Sequence, residues 1–324
     1  METDVEKSGI PLRGRSAPEW TLFSRVTGFP LEWLAVAGLA SVDLVWALRI
    51  GFSLSVSRLD FAVPLLTLAA IIMFRTVVRL EQGWLTAEYF ILTGAATAAF
   101  GVLTYLCCAI SYPLVDDEFL RLDRAMGFDW QHWFRLLQEH PAATTVFKAA
   151  YNSMIYQCLY FTILFGLLRR KAELREMFWI VFIAGVLTSV GSVFFPAYGA
   201  FETFDLKSLG EYLPDMKQLR SGNLHFAFGT LNGVVTFPSF HTTMALVYAY
   251  GFRRTGPIGH LIIAINLMML PAIPFFGGHY LVDMIAGAGV AVVAILLAKA
   301  LPDLARHAAK SALPEVGGLA QSPR

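Results

Sequence analysis

Two of the seven histidines have neighbours that could give them chemistry. His241 lies in Thr236-Phe237-Pro238-Ser239-Phe240-His241-Thr242-Thr243, and His279 in Gly277-Gly278-His279-Tyr280-Leu281-Val282-Asp283. Where the second stretch opens a helix, His279 and Asp283 are four apart and share a face. A carboxylate one turn away accepts the proton of one ring nitrogen, fixes the tautomer and leaves the other nitrogen as a nucleophile. Pro238 suits the first position of a helix, with Ser239 in the first turn. The free N–H groups of such a turn make an anion site, to which the Ser239 hydroxyl adds a donor. Gly277-Gly278 lets backbone come close to a ligand. The constellation reads as a phosphate cradle, a nucleophilic His279 with its orienting Asp283, and His241 as the acid. Taken singly, His279 and Asp283 also read as a bonded pair at a helix end, and Ser239 as a plain cap. Two histidines and an aspartate are also a zinc ligand set.

The elements that must position these residues are set by composition. Of 324 residues, 56% are hydrophobic and only 15% charged, against about 25% charged in soluble domains. Mean hydropathy is +0.58. These values exclude a disordered protein, a nucleic-acid binder and an ordinary soluble enzyme. The formal net charge of +1 selects no partner. Cys107, Cys108 and Cys158 all lie in apolar runs, with neither a disulfide framework nor zinc spacing. Eight segments approach the roughly 20 apolar residues of a membrane span: 31–50, 60–80, 88–110, 148–168, 178–198, 237–252, 258–276 and 279–300. The fold expected is an all-α integral membrane bundle of about eight transmembrane helices. It begins with a polar tail, 1–30, without a removable signal peptide. Two accessory helices follow over 31–87, carrying Glu32, Asp43 and Arg75. A six-helix core covers 88–301, with long loops at 111–147 and 199–236, and 302–324 is a second polar tail. Gly185, Gly191, Gly287 and Gly289 suit close helix packing in lipid. Asn152 and Gln157 are expected to bond between helices.

Lysine and arginine set the orientation. Arg169–Arg175 and Arg253-Arg254 mark one side, with both termini, and the long loops hold most of the acids, Asp116, Asp123, Asp129 and Glu202 among them. Termini are therefore expected in the cytoplasm and the long loops outside, in a multi-pass protein of the bacterial inner-membrane type. Aromatics mixed with charges over 122–134 fit a short interfacial helix. Both histidines open spans that run the same way, so they emerge at one face and one depth, as a shared site requires. Span six is about 16 residues, roughly 24 Å at 1.5 Å per residue, which sets its histidine slightly below the interface. Buried ionisable groups in a membrane are costly and mark function. A proton-coupled transporter or a non-catalytic membrane protein could use the same residues. A carrier, however, holds such groups near mid-membrane on broken helices, and these lie at helix ends.

Pro238-Ser239-Phe240-His241 and Gly278-His279-Tyr280-Leu281-Val282-Asp283 together resemble the type 2 phosphatidic acid phosphatase superfamily. The His-Tyr-x-x-Asp form resembles more narrowly the inositolphosphotransferase branch that holds the fungal inositolphosphorylceramide synthases. The resemblance centres on about 220–290 and extends over 88–301. It implies a phosphohistidine on His279, orientation by Asp283, protonation of the leaving oxygen by His241, and no metal or other cofactor. It also implies a membrane lipid phosphate or phospholipid as substrate, with water or a lipid or polyol alcohol as acceptor, and no nucleic acid. Three features depart from it. The superfamily's Lys-x6-Arg-Pro motif falls on Thr188, Phe195 and Pro196, its arginine six residues before the nucleophile on Ile273, and its glycine before the acid on Phe240. A phosphoryl group in transfer still needs positive charge. The loop upstream offers Arg220, with Lys207 and Lys217; Arg220, able to clamp phosphate with two bonds, is expected with Ser239 and Gly278 in the phosphate site. Hydrolysis and transfer share the first half-reaction and remain alternatives here.

Overall fold

The computed structural model describes residues 31–312. The expected tails, 1–30 and most of 302–324, lie outside the described residues or at their edge. Apolar runs become helices because lipid offers the backbone no hydrogen-bond partners, and the described chain is mostly helical. In order it runs α1 (Leu31–Ile50), β1 (Ser53–Ser55), α2 (Ala62–Thr76), α3 (Glu81–Cys108), α4 (Asp116–Ala125), α5 (Trp130–Gln138), α6 (Pro141–Leu167), α7 (Lys171–Phe194), α8 (Ala200–Thr203), α9 (Leu213–Arg220), β2 (His225–Ala227), α10 (Phe240–Phe252), α11 (Pro257–Gly277) and α12 (Leu281–Ala312). The chain divides into a unit of Glu32–Lys299, to which the helix bundle and both histidines belong, and a second of 1–31 with 300–324.

Among the described residues, five helices are long and apolar enough to cross a membrane: α1, α3, α7, α11 and Leu281–Leu301 of α12. The other three expected spans are helical but differ in kind. α2 has 15 residues, α10 has 13, and α6 has 27 with polar residues in its first turns. α3 begins at Glu81, so the expected boundary after residue 87 falls inside it. The loop 111–147 is itself largely helical, as α4, α5 and the start of α6.

α3, α6, α7, α10 and α12 share one apolar core, in which Tyr89, Phe161, Phe165, Ile180, Met244, Val247 and Ala291 are buried. α10 packs on α11, α6 and α7, while α2 lies along α3. Inside this core Asn266 donates to Gln157 Oε1 at 2.8 Å, and Gln157 donates to Ser153 Oγ at 2.9 Å. The interhelical bond expected of Gln157 is thus present, whereas Asn152 is exposed. Glu32, an interruption in the first apolar run, is buried and ion-paired with Arg175. A second apolar cluster joins Phe119 of α4, Trp130 of α5, Phe201 of α8 and Tyr280, closing one end of the bundle. β1 and β2 pair in parallel, Ser53 against His225.

Candidate active site

Both histidine stretches are helix starts, and they lie side by side. α11 ends at Gly277, and Gly278 leaves it in the left-handed conformation, φ +68°, which glycine adopts without a Cβ penalty. The reversal brings His279 just ahead of α12. His279 Nδ1 stands 3.4 Å from Asp283 Oδ2, which also accepts the Tyr280 N–H at 2.8 Å. Such bonds are often long before substrate binds. His279 is 4% exposed and Asp283 fully buried, with Oδ1 lacking any bond partner. The His241 and His279 rings are 6.3 Å apart, centroid to centroid.

α10 is tied to α12 by backbone. Ser239 donates its N–H to the Asp283 carbonyl at 3.0 Å, and Thr243 Oγ1 donates to the Gly287 carbonyl at 2.9 Å. A Cβ on Gly287 would stand 2.3 Å from the Ser239 carbonyl, so only glycine permits this crossing. Pro238 does not open the helix. Ser239 is the N-cap, and Pro238 lies before it against Gly191, because a hydroxyl two or three residues ahead of the free amides satisfies them better. Ser239 Oγ accepts the Thr242 N–H at 3.3 Å and the Thr242 hydroxyl at 3.2 Å, and the residue is fully buried. The Ser239 hydroxyl is thus occupied as a cap. The Phe240 and His241 amides meet no acceptor among the described residues.

The other expected phosphate residues are placed differently. Gly278 packs against protein: its carbonyl accepts the Ala200 N–H at 2.7 Å, and a Cβ would stand 2.6 Å from Phe201 Cδ2. Arg220, at the end of α9, donates to the Tyr112 carbonyl at 2.8 Å and lies over the Tyr198 ring. With Trp46, Ile50, Leu106 and Leu224 it lines a cleft of about 180 Å³ that includes neither histidine. Lys217 pairs with Glu202 at 2.7 Å, and Lys207 with Asp205 at 3.0 Å. Thr188 and Ile273, standing where the superfamily has cations, are buried. Among the described residues no three metal-binding side chains gather.

Three contributors were not singled out by the sequence. Tyr151 of α6 stacks on His241, centroids 4.2 Å apart and planes 13° apart, with its hydroxyl 3.5 Å from Nδ1. Asp123 accepts the Leu281 and Val282 amides, and Asp116 those of Tyr198 and Gly199. Burial pushes both carboxyls up from the ordinary carboxylate range, opposed by the N–H groups they accept. The one sequence signal for any of these was Tyr280 inside the histidine motif, whose hydroxyl reaches Asp116 at 3.1 Å.

The arrangement offers one imidazole held by a carboxylate, a second facing it without one, and unfilled amides beside the second. That set can form and discharge a covalent bond to an anionic centre. A family model of the PAP2 superfamily matches residues 117–297, from α4 into α12 and across both histidines. No curated protein and no solved structure matches the chain. Five apolar helices and a match over more than half its length make this chain a membrane-embedded member of the PAP2 superfamily, an enzyme of phosphatase type.

Proposed function

We propose that the protein cleaves a phosphate ester of a membrane lipid through a phosphohistidine on His279. Nε2 of His279 attacks phosphorus and the bond to the leaving oxygen breaks, with His241 delivering a proton to that oxygen. Asp283 holds the Nδ1 proton and so keeps Nε2 free. In the second half, His241 takes a proton from the acceptor, the acceptor oxygen attacks phosphorus, and the N–P bond breaks to return His279. The acceptor is water in a hydrolase or an alcohol in a headgroup transferase of the inositolphosphotransferase kind. The free amides of Phe240 and His241, with the positive end of the α10 dipole, receive the phosphate oxygens. By the distribution of Arg and Lys in the loops, this end of the bundle faces outward.

The single observation that carries the reading is that the two histidines meet across 6.3 Å and only His279 has a carboxylate on its ring. The test is product analysis with the purified protein in detergent. A lipid phosphate and a phospholipid, each labelled at phosphorus, are incubated with and without diacylglycerol, ceramide or inositol-containing lipid. Label on His279 and acceptor-independent release of phosphate or phosphorylated headgroup identify a hydrolase. A new phospholipid formed only with acceptor identifies a transferase. No label on His279 and no product with any of them overturns the reading.

A further inference from the structure

The segment that carries His279 begins with two glycines, Gly277 and Gly278. What fixes it comes from α4, more than 150 residues earlier. Asp123 Oδ2 accepts the Leu281 N–H at 2.9 Å and Oδ1 the Val282 N–H at 3.1 Å. Asp123 is fully buried although its helix is rich in charge and exposed along its other side. Two turns earlier, Asp116 accepts the Gly199 N–H at 2.7 Å, the Tyr198 N–H at 2.9 Å and the Tyr280 hydroxyl at 3.1 Å. Between the two, Phe119 packs edge-on to Tyr280 at 6.0 Å and against Phe237 at 4.9 Å. Positions 116, 119 and 123 share one helical face. That face touches both stretches that bear histidines, Phe237 on one side and Tyr280–Val282 on the other. The exposed side of α4 carries Asp117, Glu118, Arg121 and Arg124.

We propose that α4 is a positioning clamp for the reaction: Asp116 and Asp123 fix the Gly278–Val282 segment, Phe119 seats Phe237, and the helix thereby sets His279 against His241. Three successive amides, 280 to 282, end on carboxylates, so these three N–H groups hold the segment and are not offered to substrate. The clamp rests on the reading of this site as the place of catalysis, and its test is chosen to separate it from the assignment of His279 as nucleophile.

The full chain in detergent is measured with a labelled short-chain lipid phosphate, by steady-state kinetics, by label on His279 and by amide hydrogen exchange. In Asp123→Ala the amides of 281 and 282 exchange at least about tenfold faster, kcat falls about a hundredfold and KM moves less than about twofold, as expected of misplacement by an ångström. Asp123→Asn, which keeps one acceptor oxygen, regains part of both losses. The surface change Asp117→Asn alters neither. A wild-type kcat in Asp123→Ala, or faster exchange at 281–282 with kcat intact, overturns the clamp. Where Asp123→Ala loses protection throughout α3 and α7 as well, Asp123→Asn decides. In it, a partial fall in kcat with KM held supports the clamp, and unchanged kcat or a rise in KM alone overturns it. Turnover that depends on Asp123 while His279 takes no label refutes the nucleophile and leaves the clamp standing.

Discussion

The starts of α10 and α12 are built for different work, although each carries a histidine and they lie side by side. Every helix start exposes unpaired amides and about half a positive charge. At α12 that charge meets carboxylates, with Tyr280 N–H on Asp283 and the next two amides on Asp123. At α10 the only side-chain cap is the neutral Ser239 hydroxyl, and the Phe240 and His241 amides stay free. Carboxylates at a helix start hold it and repel an incoming anion. A hydroxyl cap holds it and leaves room for one. Under the proposed function, the difference puts the anion on the α10 side and the fixed, carboxylate-backed ring on the α12 side.

That contrast can be broken most directly at the rings. His279→Ala is expected to lower kcat by on the order of 10⁴-fold or more, the scale of losing a nucleophile. His241→Ala should cost about 10²- to 10⁴-fold, the scale of a general acid. It should also spare a substrate whose leaving group needs no proton, such as p-nitrophenyl phosphate. Steady-state rates on a lipid phosphate and on that ester check both. Near-normal turnover in His279→Ala ends the assignment. Because one ring must be neutral to attack and the other protonated to assist, the rate with pH should be bell-shaped, and His241→Ala should lose one limb.

Exchanging the character of the two starts is the next test. Ser239→Asp places a carboxylate where α10 has a hydroxyl, making it resemble the start of α12. Capping should hold, since aspartate caps as well as serine, while KM for a lipid phosphate should rise about tenfold from repulsion at short range. An unchanged KM would mean that the phosphate is not received at α10. Gly278→Ala belongs to the same comparison. It forces a left-handed backbone on alanine, about 1 kcal/mol or more, and drives a Cβ to 2.6 Å from Phe201. kcat should fall several-fold with the melting temperature lowered by a few degrees, as thermal unfolding and kinetics together would show.

Much of the bundle is legible in the sequence because lipid forces long apolar runs, and the two histidines are legible because their stretches begin such runs. The boundaries are less so. α6 opens at Pro141 rather than near 148, since its first turns are polar and bond outward, Thr144 to the Leu137 and His140 carbonyls. The clamp was invisible because Asp123 reads as one acid among many in a polar loop, and its partners are 158 and 159 residues away. Tyr151 reads as one more aromatic in an apolar helix. Arg220 shows the opposite relation between sequence and structure. It is near His241 along the chain, but its guanidinium is anchored on Tyr112 beside another cleft.

The smallest effect is expected at the Ser239 hydroxyl, and it separates two roles that the sequence could not. As a cap, the hydroxyl accepts the Thr242 N–H and the Thr242 hydroxyl and lies fully buried. Ser239→Ala then leaves two buried donors short of a partner and costs about 1 kcal/mol of stability. In a chain of 324 residues that is a fall of roughly 1–2 °C in melting temperature. KM for a lipid phosphate should move less than about twofold, because the group that would be lost faces Thr242. As a phosphate donor the hydroxyl would behave in reverse. KM would rise about tenfold, the weight of one hydrogen bond to a charged group, with the melting temperature unmoved. Parallel melting curves and KM values for Ser239→Ala and Ser239→Thr decide it, since threonine keeps the hydroxyl. A raised KM in the alanine variant that threonine restores, without a stability change in either, would return Ser239 to the phosphate site and remove the distinction drawn between the two helix starts.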